Sequence, residues 1–239
     1  MEKKVTEFFT VQSYEADLSK RMKPFFLQNH LQEAAYAGSA FCGAGYDTLR
    51  ELNISWVLNR LHLSFTGFPI WGDDIRLDTW SRARQGLLWH RNFQMFKGSE
   101  LIMNGTSAWT VLDLGTRSLY RGLPPFNEDS HLEEDTLPFC TKLQVPKEVE
   151  MHPAGSHTPL FSEIDTNLHV NNCFYTQWAL DSLPFDYLSE HSLKDLEINY
   201  FFEVPPQRSV DFQLGRQEDT WYFRGLNGTT PLFLVKLEF

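Results

Sequence analysis

"FFLQNHLQEAAYAGSAF", residues 25–41, places Phe26, Leu27, Leu31, Ala34, Ala35 and Phe41 at the spacing of one helix face. The spacing predicts a single amphipathic helix, loosened toward its end by Gly38 and Gly43. Just upstream, VTEFFTVQS (5–13) alternates as a strand does. Downstream, from Asn53 to Leu114, the helical period gives way to strands. ISWVLNRLHLSF (54–65), DDIRLDTWSRA (73–83), LLWHRNFQMF (87–96) and LIMNGTSAWTVL (101–112) are rich in β-branched and aromatic residues, with Gly, Pro or Asp between them. Strand, helix, then four strands make one α+β unit.

The same order then returns. Residues 121–153 are proline-rich and acidic without sustained period, and read as a connection. Beyond them a strand is expected near HTPLFSEI (157–164), then a helix over NNCFYTQWALDSL (171–183) closed by Pro184. Four more strands follow, at KDLEINYFFEV, SVDFQLGRQ, TWYFRGL and PLFLVKLEF. The predicted organisation is a domain over 1–125, a linker over 126–153 and a second domain over 154–239. Two copies of one plan resemble a tandem hotdog fold, in which each antiparallel sheet wraps around a central helix. Single-copy hotdogs usually pair sheet edge to sheet edge, and a fused second copy would cover such an edge in cis. Whether the tandem chain further forms a homodimer stays open from sequence.

Composition narrows the function. A hydrophobic content of 42% over 239 residues is ample for real cores without disulfide or metal staples. Cys42, Cys140 and Cys173 are odd in number and widely spaced, so they form neither a disulfide framework nor a paired metal-ligand motif. No cofactor or metal is expected. The N-terminal residues lack the apolar run of a signal peptide and the Arg/Ser-rich look of a transit peptide, and no membrane span is seen. A cytoplasmic location is expected, and the sequons at Asn53, Asn104 and Asn227 read as accidental. The formal charge of −10 argues against nucleic-acid binding, which needs a concentrated basic surface. The aromatic content of 15% fits a β-rich core, or rings lining an apolar ligand channel.

One stretch is too polar for a core. DTNLHVNN (165–172) runs directly into the second predicted helix. Capping alone would need one such residue, Asn171 or Asn172, with Asp165 favourable near the positive helix end. Asp165, Asn167 and His169 alternate, so in an extended segment they project on one side, ahead of free helix N–H groups near Val170, Asn171 and Asn172. Helix N-termini stabilise an oxyanion, and the combination suits acyl transfer.

At these residues the chain resembles the acyl-ACP thioesterases of bacteria and plant plastids. DTNLHVNN, the helix with Tyr175 and Trp178, the closing Leu-Pro, and the first-half segments LQEAA, ISWVLNRLHLSF, PIWGDDIRLDTW and WHRNFQMFKGSELIMNGTSAWTVLD all carry the likeness. INYFFEV stands where the family has a Tyr followed by a catalytic Glu. The resemblance implies a tandem hotdog enzyme that releases fatty acid from an acyl carrier protein bearing a fatty acyl chain. Asp165, Asn167, His169 and Glu203 would form its catalytic group. Glu203 or Asp165 would activate water or attack directly, and a carboxylate in an apolar cleft is expected to have a raised pKa. Plant members often carry Cys after the Glu, but Val204 stands here, so a thiol mechanism at that position is excluded. Cys173 is expected to be a small buried hydrophobe. The resemblance also assigns the acyl pocket to the first half, with Leu31, Ala35, Trp56 and Leu58 as candidates; each also reads as ordinary core.

Without the resemblance, Glu203 reads as an edge-strand charge, Asp165 as a cap and His169 as a structural histidine. An acyl-CoA thioesterase, a non-catalytic acyl-binding hotdog protein and a hotdog dehydratase are the rival functions. An acidic carrier would have to dock on a local basic patch of this acidic chain, with Lys20, Arg21 and Lys23, or Arg82, Arg84, His90 and Arg91, as candidates.

Overall fold

The computed structural model describes residues 3–127, 130–134 and 136–239. The chain divides into two compact units, Met1–Cys140 and Thr141–Phe239.

The first unit contains β1 (Val5–Thr10), α1 (Pro24–Phe41), α2 (Tyr46–Glu51), β2 (Ile54–Phe65), β3 (Asp74–Gln85), β4 (Leu88–Lys97), β5 (Glu100–Asp113) and β6 (Ser118–Leu119). Its antiparallel sheet runs β1-β3-β4-β5-β2, with β6 paired to β5. Pro24 opens α1, where a missing N–H costs nothing. Leu27, Gln28, Leu31, Ala34, Ala35 and Gly38 are its buried face, Phe41 at its end is exposed instead of joining them, and α1 packs against β3 and β1. Gly43 at φ 82° turns the chain out of the helix, and the short α2, not expected from sequence, follows.

The second unit contains β7 (His152–His157), α3 (Cys173–Asp181), α4 (Phe185–Glu190), β8 (Asp195–Tyr200), β9 (Val210–Gln217), β10 (Thr220–Asn227) and β11 (Thr230–Glu238). Here the antiparallel order is β8-β11-β10-β9-β7. Tyr175 and Trp178 carry α3 onto the sheet, their ring centroids 4.6 and 6.1 Å from that of Phe233. Each unit therefore has the central helix and wrapped antiparallel sheet expected of one hotdog.

Two sequence expectations are corrected here. The strand expected over 157–164 lies earlier, as β7, which ends at His157. Pro159 has no ladder donor, and the Glu163 carboxylate accepts the Leu160 N–H at 2.6 Å, curling Phe161–Glu163 into a single 3-10 turn. The helix expected over 171–183 is α3 and is shorter, because Asn171 and Asn172 are spent on entering it.

The division between the units falls inside the segment 126–153, of which residues 128, 129 and 135 lie outside the described residues. Part of this segment does more than connect. The Glu134 carbonyl accepts Trp80 Nε1 and Asn92 Nδ2, both at 2.9 Å, and the Leu137 carbonyl accepts Arg82 Nη1 at 2.9 Å. These residues close one face of β3 and β4. Arg82 and His90 are buried on this face and Arg91 on the opposite one beneath α1, so of the second basic cluster Arg84 alone is exposed. Burial, helped by Arg82 and Arg60, pushes the His90 imidazole down to about 4, so it is neutral. Among the described residues no helix is long and apolar enough to cross a membrane.

Candidate active site

The site is built between the Phe161–Glu163 turn and α3. Ile164 and Val170 pair as an isolated antiparallel bridge, so the chain between them must reverse. The Asp165 N–H donates to the His169 carbonyl at 2.8 Å, and the Leu168 N–H to the Asp165 carbonyl at 3.1 Å. Leu168 sits at φ 63°, a left-handed conformation rarely adopted by leucine. Asp165 Oδ1 accepts the backbone N–H groups of Asn167 at 2.8 Å and His169 at 3.2 Å. The extended segment expected from the alternation is thus a closed turn, and the Asp165 carboxylate folds back onto its own backbone. Asn167 is exposed on that turn.

His169 leaves the turn with its Nε2 3.1 Å from Glu203 Oε2. A backbone bond explains the meeting: the Val170 N–H donates to the Val204 carbonyl at 3.0 Å, fixing the chain beyond β8 against the turn. The imidazole side chain is 21% exposed and the carboxylate 38%, so the pair lies at a surface opening and is not enclosed. Such a carboxylate orients the ring and can exchange a proton with it or with a water beside it.

The three amides expected as oxyanion donors differ in their fates. Val170 is committed to Val204, and the Asn171 N–H donates to the Glu163 carbonyl at 2.9 Å. Both are spent on holding the turn. Asn172 heads α3, and among the described residues no backbone carbonyl takes its amide. The Cys173 N–H is capped by Asn171 Oδ1 at 2.9 Å.

Under the turn lies Tyr175. Burial pushes its hydroxyl up; a backbone hydrogen bond at Val204 opposes this, and the carboxylates of Glu203 and Asp165 add to it. Both carboxylates therefore act on one hydroxyl. Burial also pushes the Cys173 thiol up to about 12, which keeps it protonated and inert at neutral pH, as expected of a buried hydrophobe.

Sequence reasoning missed Glu163. This buried carboxylate accepts His157 Nε2 at 2.8 Å, Trp178 Nε1 at 2.9 Å and the Leu160 N–H, tying β7 and α3 to the entrance of the turn. A signal existed: aligning SYEADLSKRM (13–22) with FSEIDTNLHV (161–170) puts Glu15 on Glu163 and Asp17 on Asp165.

The expected pocket residues lie in the first unit. Leu31 and Ala35 are buried on α1, and Leu58 is half-buried in β2. Trp56 donates from Nε1 to Ser39 Oγ at 2.8 Å and meets the rings of Trp89 and Phe126. Those two rings, with Leu123, Pro124, Pro125 and Asn127, line a cleft of about 400 Å³, of which none of the four candidates is a wall.

Two family models match: the acyl-ACP thioesterase N-terminal domain over residues 2–127 and the C-terminal domain over 147–225. The chain is 30% identical over 209 residues to a chloroplastic palmitoyl-acyl carrier protein thioesterase of Gossypium hirsutum, covering 80% of this chain and 50% of the relative. An oleoyl-acyl carrier protein thioesterase of Coriandrum sativum is 27% identical, covering 86% of this chain and 60% of the relative. The chain thus spans about half to three-fifths of the length of these curated relatives. Among solved structures, an acyl-ACP thioesterase from Bacteroides thetaiotaomicron superposes with a TM-score of 0.87 at 24% identity, covering 99% of this chain and 97% of the other. That likeness shows the tandem fold.

Proposed function

Because the chain belongs to the acyl-ACP thioesterase family, we propose that it hydrolyses the thioester of a fatty acyl-[acyl carrier protein] to free fatty acid and the carrier's thiol. The observation that carries the reading is the 3.1 Å approach of His169 and Glu203. Glu203 takes a proton from water as the water oxygen bonds to the thioester carbonyl carbon. The Asn172 amide, at the head of α3, faces the developing oxyanion, and the exposed Asn167 assists it. Collapse of the tetrahedral intermediate breaks the C–S bond, and the proton held by the His169–Glu203 pair passes to the departing sulfur. No metal or cofactor enters this scheme.

The N-terminal domain supplies the acyl pocket in this reading; Leu31, Ala35, Trp56 and Leu58 remain its candidates, and Trp56 packs against Trp89 and Phe126 of the cleft wall. Each methylene buried there would contribute about 0.8 kcal/mol to chain-length preference. A cytoplasmic setting is supported by the three buried cysteines, Cys42, Cys140 and Cys173, none of which is in a disulfide.

The test is thiol release from matched acyl-carrier-protein and acyl-CoA substrates across chain lengths. Carrier-protein substrates should give the higher kcat/KM, and Glu203→Gln should lower kcat at least about 100-fold with the fold intact. Equal use of both carriers would favour an acyl-CoA thioesterase, and a near wild-type rate for the variant would remove Glu203 from the chemistry.

A further inference from the structure

The turn that carries His169 occurs twice in this chain. In the first unit Ala16 and Met22 form the same isolated bridge as Ile164 and Val170. The Asp17 N–H donates to the Arg21 carbonyl at 2.8 Å, and the Lys20 N–H to the Asp17 carbonyl at 3.0 Å. Asp17 Oδ1 accepts the N–H groups of Ser19 at 2.8 Å and Arg21 at 2.9 Å. Lys20, at φ 65°, repeats the left-handed residue Leu168 at φ 63°. Both following segments are pinned alike, Met22 N–H to the Pro69 carbonyl and Val170 N–H to the Val204 carbonyl.

The chemistry is not repeated. Arg21 occupies the place of His169, Ser19 that of Asn167, and Phe68, just before Pro69, stands where Glu203 precedes Val204. A carboxylate kept in the copy without imidazole or glutamate is serving the turn. Its oxygen satisfies two amides that the reversal leaves without carbonyl partners.

We propose that Asp165 is a positioning residue: its Oδ1 fixes the Asn167 and His169 amides and so holds the imidazole opposite Glu203, and it is neither the base nor the nucleophile. This rests on the thioesterase reading of the His169–Glu203 site and assigns the carboxylate chemistry to Glu203 alone. Asparagine keeps the Oδ1 acceptor and removes the charge; alanine removes both.

Asp165→Asn should keep kcat within about ten-fold of wild type with an unchanged kcat–pH profile, whereas Asp165→Ala should lower kcat at least about 100-fold with KM little altered. Amide exchange at Asn167 and His169, followed by NMR, should stay protected in the asparagine variant and become fast in the alanine variant, independent of any substrate. Asp17→Ala should free the Ser19 and Arg21 amides while leaving kcat near wild type. The proposal is overturned if Asp165→Asn loses turnover while both amides remain protected, or if Asp165→Ala leaves them protected. Should wild type release no thiol from either carrier, the function reading fails, and the exchange data still decide whether Asp165 builds the turn.

Discussion

Glu163 shows how a single residue couples the fold to the site. Burial alone would raise its pKa, but hydrogen bonds from His157, Trp178 and the Leu160 N–H outweigh it and hold the carboxyl below its ordinary value of 4.5. Because the folded state binds its proton less readily than the unfolded chain does, its contribution to stability is complete above that ordinary value. The contribution is lost as pH falls through the lowered value. Glu163→Gln puts an amide NH₂ against the donors of this cluster and should cost about 1–3 kcal/mol at neutral pH. Thermal melts of the variant from neutral to acid pH should show a shallower fall in Tm than wild type. Parallel Tm curves would mean that the carboxylate carries no such load.

At the scale of elements, α1 of the first unit crosses a buried cation. The Arg91 guanidinium is fully enclosed, burial lowers its pKa against an opposing contribution from Cys42, and Nη1 donates to Thr79 Oγ1 at 3.2 Å. It passes directly beneath Gly38, where an added Cβ would overlap its nitrogen. The glycine that loosens the helical pattern in the sequence is therefore a passage for a side chain from β4. Gly38→Ala should destabilise by about 1–3 kcal/mol despite the better helix propensity of alanine. Arg91→Met should suppress most of that loss, which a double-mutant cycle in urea measures; additive losses would break the link between the two positions. Such coupling is what sequence does not display. The strands were legible because alternation and β-branched residues report a half-buried sheet directly, and the boundaries of β2 match the expected segment. Residues 158–164 were not, since their conformation depends on a carboxylate capping a turn. Nor was the turn at Asp165, because a leucine in the left-handed region has no compositional signature. The pairing of His169 with Glu203 follows from a backbone bond between segments distant in sequence; the family resemblance supplied the glutamate, and periodicity alone would have left it an edge charge.

At the scale of the whole molecule, a net charge of −10 sets the proposed hydrolase the problem of meeting an acidic carrier. With Arg82, His90 and Arg91 buried, the second cluster leaves Arg84 alone at the surface, and the remaining candidate for a patch is the duplicated turn of the first unit. Arg21 there is tied to Asp17 at 3.1 Å, which leaves Lys20, exposed at the turn, and Lys23, whose Nζ donates to the Tyr14 carbonyl at 3.1 Å. Two charges on a rim act mainly on encounter, so their effect should appear in kcat/KM at low salt and fade as ionic strength rises. Reversing both, Lys20→Glu with Lys23→Glu, should raise KM for acyl-carrier-protein substrates several-fold and leave KM for a small thioester analogue unchanged. A control reversal of the exposed Lys147 and Lys194 changes the net charge equally and separates a local patch from long-range repulsion. If both double variants raise KM to the same extent, the carrier senses the total charge. If neither does, docking does not depend on these cations, and the duplicated turn serves the fold of the first unit alone.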